Sequence, residues 1–386
     1  MKTHSTLQPN LLNYLTIMFN GEFSATEWQR YQRQIQTRSF GARGQHALKK
    51  STVAIIGIGG LGCPVTQILA SVGVGTLLLV DDDLVSRSNL HRQFLFNEDD
   101  VGRSKSDTAA KKIQDINPFI NAISIKERLS AENITDIGQQ CDLIIDCTDN
   151  MATRYLINDY CQLKQKSWIF GSVEEFAGQT SFFSPETACY RCVFPEAPTE
   201  LKDCNSQGIV GSIPSLLANI QANEAIKYLC GLPLAFQNKL FILDALHHKS
   251  QSISLTRSAN CICNTPHLIQ LSAATYNTCE TDLSEKKELT VEQFHKLKEQ
   301  EDVTLIDLRS EEEHRALNIG GNNQPYDTFM DNFKPDENSM TILYCHSGQR
   351  SRLALQQLTQ RSHNIYALKG GLSAYLEYIH IIQQTR

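Results

Sequence analysis

The sequence predicts an α/β protein: a parallel, doubly wound sheet followed by a smaller second α/β unit. Three observations carry this. The run "STVAIIGIGGLGCPVTQILASVGVGTLLLVDDD" passes from a buried strand through a glycine turn and a helix into a second strand ending in acids, which is one βαβ unit. Strand-like and helix-like segments then keep alternating, the pattern of a parallel sheet covered on both faces. A polar, irregular stretch at 264–287 interrupts the alternation, which restarts at "LTVEQFHKLKEQEDVTLIDLRS" and continues to the end.

Taken in order, residues 1–24 read as a loosely attached arm. "SATEWQRYQRQI" starts a helix, with Ser24 as N-cap and Glu27 three residues on, the spacing of a capping box. Strands Val53–Ile56 and Thr76–Val80 flank the glycine turn. "SKSDTAAKKIQDINP" is a helix stopped by Asn117-Pro118. "CDLIIDCTDN" is another buried strand ending in acids; "MATRYLINDYCQLKQK" is the helix after it, and "SWIFGSV" is a strand again. "SIPSLLANIQANEAIKYLCG" is a helix with Gly231 just past its end. The expected divisions are a nucleotide-type domain over 25–265, a linker over 266–287 and a second domain over 288–386. No internal repeat or low-complexity tract is evident.

The composition narrows the function classes. With 386 residues the chain is too long for one ordinary domain. Hydrophobic residues make up 41% and charged residues 20%, the balance of a packed globular protein. A formal charge of −6 argues against a bulk electrostatic grip on nucleic acid. No apolar run reaches the roughly eighteen residues of a membrane span, and the N-terminus lacks a signal-peptide layout. Twelve cysteines in such a chain read as reduced thiols, metal ligands or catalysts, so a cytoplasmic setting is expected.

"GIGGLG", Gly57 to Gly62, fits G-x-G-x-x-G between strand and helix. Gly57, Gly59, Gly60 and Gly62 let the backbone approach phosphate, and the helix N-terminus supplies N–H donors. Asp81, ending the second strand, stands where an acid holds ribose hydroxyls. Alone, this favours a dinucleotide-binding oxidoreductase; a tight structural turn is the bland alternative. The residues that follow shift the balance. "SRSNLHRQF" places Asn89 and Arg92 after the second strand, Lys105 opens the next helix, and Asp149 and Asn150 follow in "DCTDN". Two cations, two acids and two amides at one sheet edge suit phosphoryl or nucleotidyl transfer, with an acid for Mg²⁺, better than hydride transfer.

"RYQRQI", "VAIIGIGGLG", "SNLHRQF", the Lys105 helix, "DCTDN", "CYRC" and "GIVGSIPSLLANIQANEAIK" occur in this order across residues 25–265. That part of the chain resembles the MoeB/ThiF family, relatives of ubiquitin-activating enzymes, and its sheet is therefore expected to be Rossmann-like. The resemblance implies ATP-dependent adenylation of the C-terminal Gly-Gly carboxylate of a ubiquitin-fold sulfur carrier of MoaD or ThiS type. It implies that Gly60 lies under the ATP phosphates and that Asp81 holds the ribose. Ser88, Asn89, Leu90, His91 and Arg92 would line the nucleotide, with Asn89 and Arg92 on the phosphates. Lys105 would face the α/β-phosphate region, and Asp149 would take the Mg²⁺ beside Asn150. The arginine matching Arg33 reaches a partner subunit's site in this family, so a homodimer is implied; a solvated helix face is the alternative for Arg33.

"CYRC", Cys189 and Cys192, has zinc-knuckle spacing. The family has a second C-x-x-C, whereas here "ANCICN" offers Cys261 and Cys263 in C-x-C. A structural Zn²⁺ on these four is the expectation; Cys279 is a substitute ligand, and a metal-free pair of core thiols is the alternative. Cys204, in "LKDCNSQGIVG", matches a family cysteine that bonds to the carrier or resolves a persulfide; otherwise it is an incidental loop thiol. Cys63, Cys141, Cys147, Cys161 and Cys230 sit in apolar surroundings and read as core.

In "TILYCHSGQRSR", Cys345 ends a strand and is followed by a short loop and Arg350. Such a loop aims backbone N–H groups at a sulfur beside a helix N-terminus, which favours an anionic sulfur, thiolate or persulfide. A C-x₅-R loop fits a phosphate; this one is C-x₄-R and suits a single sulfur. Residues 288–386 resemble a rhodanese domain through "VTLIDLRSEEEH", the cysteine loop and "YALKGGLSAY", although "RALNIGGNNQP" matches the usual "GHIPGA" poorly. The implied chemistry is sulfur transfer from a Cys345 persulfide to the activated carrier, with a cysteine desulfurase or thiosulfate as donor. An oxidoreductase fused to a cysteine-loop phosphatase, and a non-catalytic scaffold for a ubiquitin-like protein, are the competing readings.

Overall fold

The computed structural model describes residues 23–195, 208–276, 287–300, 303–333, 339–358 and 364–384. These form two compact units, the first of which runs on to Tyr276. Its elements in chain order are α1 (Ala25–Ile35), α2 (Gly41–Lys50), β1 (Thr52–Ile56), α3 (Gly62–Val72), β2 (Thr76–Val80), α4 (Lys105–Ile116), β3 (Asn121–Ile125), α5 (Ile134–Gln139), β4 (Leu143–Asp146), α6 (Met151–Lys164), β5 (Trp168–Glu174), β6 (Ala177–Phe183), α7 (Tyr190–Val193), α8 (Ser212–Leu229), β7 (Lys239–Asp244), β8 (Lys249–Ser254) and α9 (Ala273–Tyr276).

The sheet order is β3-β2-β1-β4-β5-β6-β7-β8. β1 pairs in parallel with β2 and β4, β2 with β3, and β4 with β5. The sequence pattern predicts a parallel sheet, but only part of it is parallel: β5 to β8 pair antiparallel. These strands escape a reading by pattern for physical reasons. All six residues of β8 are exposed, so no apolar alternation marks it. The β5–β6 turn is built with Glu175 at φ 49°, without the Asn-Gly signal that usually announces a hairpin.

The strands β1 and β2 show why the sheet is covered on both faces. Val53, Ile55, Leu77 and Leu79 pack into one core with Leu48, Leu69, Ile113, Leu217 and Ala222. The alternate residues Ala54, Ile56, Leu78 and Val80 pack into the other with Leu156, Tyr160, Trp168, Phe170 and Tyr190. Ser24 caps α1, accepting from the Glu27 N–H at 3.1 Å. The capping box is only half formed, because the buried Glu27 carboxylate pairs with Lys49 at 2.6 Å. Asn117, expected as a helix stop, is wholly buried and donates to Tyr31 Oη at 2.7 Å and Ala70 O at 2.6 Å. Gly231, at φ 67°, follows the C-cap of α8.

The second unit contains β9 (Glu288–Leu289), α10 (Val291–Gln300), β10 (Val303–Asp307), α11 (Glu311–Ala316), β11 (Asn322–Asn323), α12 (Tyr326–Asn332), β12 (Met340–Tyr344), α13 (Gln349–Leu358), β13 (Ile365–Leu368) and α14 (Gly371–Gln384). Its strands order as β11-β10-β12-β13-β9, all parallel. Leu343 faces one core with Phe329 and Leu355, while Ile342 and Tyr344 face the other with Phe294 and Leu372. Among the described residues, no helix is long and apolar enough to cross a membrane.

Candidate active sites

The glycine turn joins β1 to α3 with atoms closer than any side chain allows. A Cβ on Gly62 would lie 1.9 Å from Gly57 O, and Gly57 itself has φ 86°. The turn is tied to β2 through Asp81, which is 8% exposed: Asp81 Oδ2 accepts from the Ile58 N–H at 2.6 Å and Oδ1 from the Asp83 N–H at 2.9 Å. Burial raises the Asp81 pKa, and Lys105 opposes that shift. Each carboxylate oxygen has a second lone pair for a hydroxyl ligand.

Lys105 is almost fully buried rather than solvated. Its Nζ donates to Asp83 Oδ2 at 2.6 Å, and its backbone N–H donates to Asp83 O at 3.0 Å. Asp83 therefore links the acid at the end of β2 to the lysine at the start of α4. Its partnership was not evident from sequence, because the two residues lie 22 positions apart.

The 3-10 turn Arg87–Asn89 carries the chain to Arg92. Arg92 Nη1 donates to Ser88 O at 3.2 Å and lies 2.7 Å from His91 Nε2. Burial lowers the Arg92 pKa, and the Asp149 carboxylate opposes that shift. A Cβ on Gly60 would sit 3.2 Å from Pro214 and 3.6 Å from Arg92 Cδ, and one on Gly211 would sit 2.0 Å from His91 O. Thus the glycine turn, the Arg92 loop and the start of α8 converge.

β4 ends at Asp146, earlier than the sequence suggested, and Cys147–Asn150 form the loop beyond it. Asp149 is exposed there. Asn150 caps α6, its Oδ1 accepting from the Thr153 N–H at 3.0 Å. The loop is held by Asp146, which is fully buried. Its Oδ1 accepts from Thr148 N–H at 3.0 Å and Thr148 Oγ1 at 2.7 Å, and its Oδ2 from Arg154 Nε at 3.3 Å. Arg154 Nη2 also donates to Thr148 O at 2.8 Å. Asp146→Ala would remove the buried carboxylate that Arg154 faces. A loss of about 3–5 kcal/mol is expected in denaturant unfolding, and Arg154→Ala should give a loss of similar size.

Arg33 lies exposed on α1. Cys204 and Cys279 lie outside the described residues. Cys63, Cys141, Cys147 and Cys161 are buried, and Cys230 is partly buried. Burial pushes the Cys63 thiol up to about 12 and Cys141 up to about 11, so both are inert thiols.

Cys189, Cys192, Cys261 and Cys263 converge, their four sulfurs all within 4.8 Å of one another. The Sγ···Sγ separations are 3.7 Å for Cys189–Cys192, 3.5 Å for Cys189–Cys261 and 3.6 Å for Cys192–Cys263. C-x-C spacing therefore supplies both remaining sulfurs. Arg257 braces that segment, donating to Asn264 Oδ1 at 3.0 Å and to Pro185 O at 2.9 Å, and the Ser258 N–H points to Cys192 Sγ at 3.4 Å. The following segment is folded onto the same unit: Tyr276 Oη donates to the buried Asp159 at 2.8 Å, which also holds Arg191 through two bonds of 2.8 Å.

In the second unit Cys345 follows β12 and is 1% exposed, with its Sγ 3.9 Å from Ser351 Oγ. Leu372 and Ser373 N–H groups hold the loop through Cys345 O at 2.8 Å and His346 O at 3.0 Å. Gly348 has φ 87°, which turns the chain back into α13. Arg350 donates through both terminal nitrogens to the Glu313 carboxylate at 3.2 Å each. Asp307, wholly buried, accepts from Arg309 at 2.7 Å and lies 2.8 Å from His314 Nδ1. Burial alone would raise the Asp307 pKa, but these two partners outweigh it and hold the carboxyl below its ordinary range.

A Rossmann-type sheet with cations and acids around its glycine turn, joined to a cysteine-loop α/β unit, defines an adenylyltransferase carrying a sulfurtransferase domain. The chain belongs to the ThiF family, whose profile matches residues 31–265, and a rhodanese-like domain matches residues 290–378. The adenylyltransferase and sulfurtransferase MOCS3-1 of Drosophila pseudoobscura pseudoobscura is 32% identical over 372 residues, covering 90% of this chain and 82% of that protein. The SAMP-activating enzyme E1 of Haloferax volcanii is 38% identical over 239 residues, covering 61% of this chain and 88% of its own. Among solved structures, E. coli MccB crystallised with AMPCPP and MccA is similar at TM-score 0.54 and 26% identity, over 65% of this chain and 79% of that one.

Proposed function

We propose that this protein adenylates the C-terminal Gly-Gly carboxylate of a ubiquitin-fold sulfur carrier with ATP, then converts it to a thiocarboxylate with sulfur delivered from Cys345. The convergence of Gly60, Arg92 and Lys105 with two carboxylates at one sheet edge is the observation that carries the first half. A carboxylate is a poor acyl donor. When its oxygen attacks the α-phosphorus, the bond to the β-phosphate breaks, pyrophosphate leaves, and an acyl-adenylate forms. Arg92 and Lys105 stabilise the charge gathered there, and Asp81 orients the ribose. A Mg²⁺ held by Asp149 would neutralise phosphate charge; an exposed carboxylate beside Arg92 fits a hard, oxygen-seeking cation.

The second half rests on Cys345. The terminal sulfur of its persulfide attacks the glycine carbonyl, the carbonyl–phosphate oxygen bond breaks, and AMP leaves. A thiol then attacks Cys345 Sγ, forming a disulfide and releasing the carrier thiocarboxylate; Cys204 is a candidate for that thiol. The sulfur donor is a cysteine desulfurase or thiosulfate. The protein acts as a homodimer, with Arg33 reaching the partner's site, in the cytoplasm, where thiols stay reduced.

The four cysteines hold a structural Zn²⁺. Tetrahedral coordination at about 2.3 Å per bond separates sulfurs by about 3.8 Å, close to the three separations in the cluster. Such a closed site joins segments about 70 residues apart. Removing the metal with a chelator is expected to lower Tm by about 10 °C or more, and thiol titration should count four newly reactive cysteines. No change in either measurement would rule the metal out.

The functional test is mass spectrometry of a Gly-Gly-ended carrier incubated with the protein, ATP, Mg²⁺ and a persulfide source. A gain of about 16 Da, replacement of one oxygen by sulfur, is expected. A carrier that keeps its mass while ATP is present rejects the proposal.

A further inference from the structure

Asp149 lies between two residues that are tied down. On one side Asn150 caps α6 through its Oδ1. On the other, the Thr148 N–H and hydroxyl both donate to Oδ1 of the buried Asp146, at 3.0 and 2.7 Å, and the Thr148 carbonyl accepts from Arg154 Nη2 at 2.8 Å. Arg154 is 5% exposed and lies over the Phe170 ring, 5.3 Å from its centroid, so this hold has little freedom to give. The N–H bond alone would close an Asx turn. The hydroxyl adds a second, charge-assisted bond to the same oxygen, which turn formation does not require. The same segment also meets the glycine turn. The Cys147 N–H donates to Ile56 O at 2.9 Å, and a Cβ on Gly57 would stand 3.0 Å from Cys147 O and 3.2 Å from the Thr148 methyl. Thr148 therefore joins the buried brace to the glycine turn, and Asp149 is its next residue.

We propose that Thr148 is a positioning residue for the metal-binding carboxylate: its hydroxyl bond to Asp146 fixes where Asp149 stands relative to the glycine turn. A carboxylate and a phosphate that share a Mg²⁺ must be held closely, because this ion takes oxygen ligands at about 2.0–2.1 Å in near-octahedral geometry. Thr148 touches neither ion nor nucleotide. It acts through the backbone of its neighbour, and residues that orient metal ligands in this way commonly change metal affinity when replaced. This rests on the reading of Asp149 as the Mg²⁺ ligand, and the experiment separates the two.

ATP is titrated calorimetrically into the full chain with Mg²⁺ and again with EDTA, for wild type, Thr148→Val, Thr148→Ser and Asp149→Ala. The ratio of the two affinities reads the metal's part in binding. Thr148→Val keeps the shape and the methyl but loses the hydroxyl. Asp146 retains the Thr148 N–H and Arg154, so no buried charge is orphaned. The inference predicts that Thr148→Val lowers the ratio about tenfold with the EDTA affinity unchanged. Thr148→Ser, which restores the hydroxyl, should recover most of that loss. In pyrophosphate exchange, Thr148→Val should need more Mg²⁺ for half-maximal rate, with a smaller change in the rate at saturating Mg²⁺. A role in stability alone would lower Tm and leave the ratio at its wild-type value, or move both affinities together. Either result overturns the inference, as does a Thr148→Ser no better than Thr148→Val. A wild-type ratio in Asp149→Ala overturns the metal reading itself.

Discussion

Lys105→Ala is expected to lower carrier-dependent exchange of pyrophosphate into ATP by about 10²–10³-fold while leaving persulfide loading of Cys345 intact. The argument is electrostatic. Lys105 is a nearly buried ammonium whose recorded partner, Asp83, faces solvent on its other side. Charge that builds on the α-phosphate during attack is stabilised by fixed cations in a water-poor site, and removing one costs a large factor. Lys105→Arg should restore little, because a guanidinium does not fit the ammonium's position against Asp83. Asp83→Ala tests the tether separately. It should raise the KM for ATP more than it lowers kcat, because the cation remains but is no longer held at the end of β2. If exchange survives in Lys105→Ala at wild-type rate, phosphate stabilisation lies elsewhere.

The second large effect falls on the other unit. Cys345→Ala is expected to abolish thiocarboxylate formation to the detection limit while pyrophosphate exchange continues unchanged. The sulfur has no substitute in its loop: Ser347 and Ser351 flank it with hydroxyls, which carry no persulfide. Glu313→Ala should give a smaller, partial loss, since it releases Arg350 from its two-bond hold and lets the α13 end of the loop shift. Mass spectra of the carrier and of the loaded protein read both effects directly. Thiocarboxylate made by Cys345→Ala would remove this cysteine from the route.

The local part of this architecture was legible in the sequence. The glycine turn, the βαβ unit, the helix stops at Asn117 and Gly231, and the cysteine loop each lie within a few residues, so pattern and turn chemistry suffice to find them. What could not be read depends on distant pairing. Asp146 looked like one more acid at a strand end, and only its contact with Arg154 and Thr148 shows that it is a buried brace for the Asp149 loop. The pairing of Lys105 with Asp83 could not be read because the two lie 22 positions apart. The Cys261–Cys263 spacing cast doubt on the four-sulfur cluster. The fold removes it by bringing these residues 3.5 and 3.6 Å from Cys189 and Cys192. Of the antiparallel strands, β8 was missed because it is exposed along its whole length and gives no periodic signal.

The central claim is that the glycine-turn site presents ATP to a polypeptide carboxylate. Radiolabelled pyrophosphate, ATP and Mg²⁺ are incubated with the protein and a ubiquitin-fold carrier ending in Gly-Gly, alongside the same carrier amidated at its C-terminus. The account predicts label entering ATP with the free carboxylate and none with the amide. Equal incorporation in both, or none with any free-ended carrier, would contradict it.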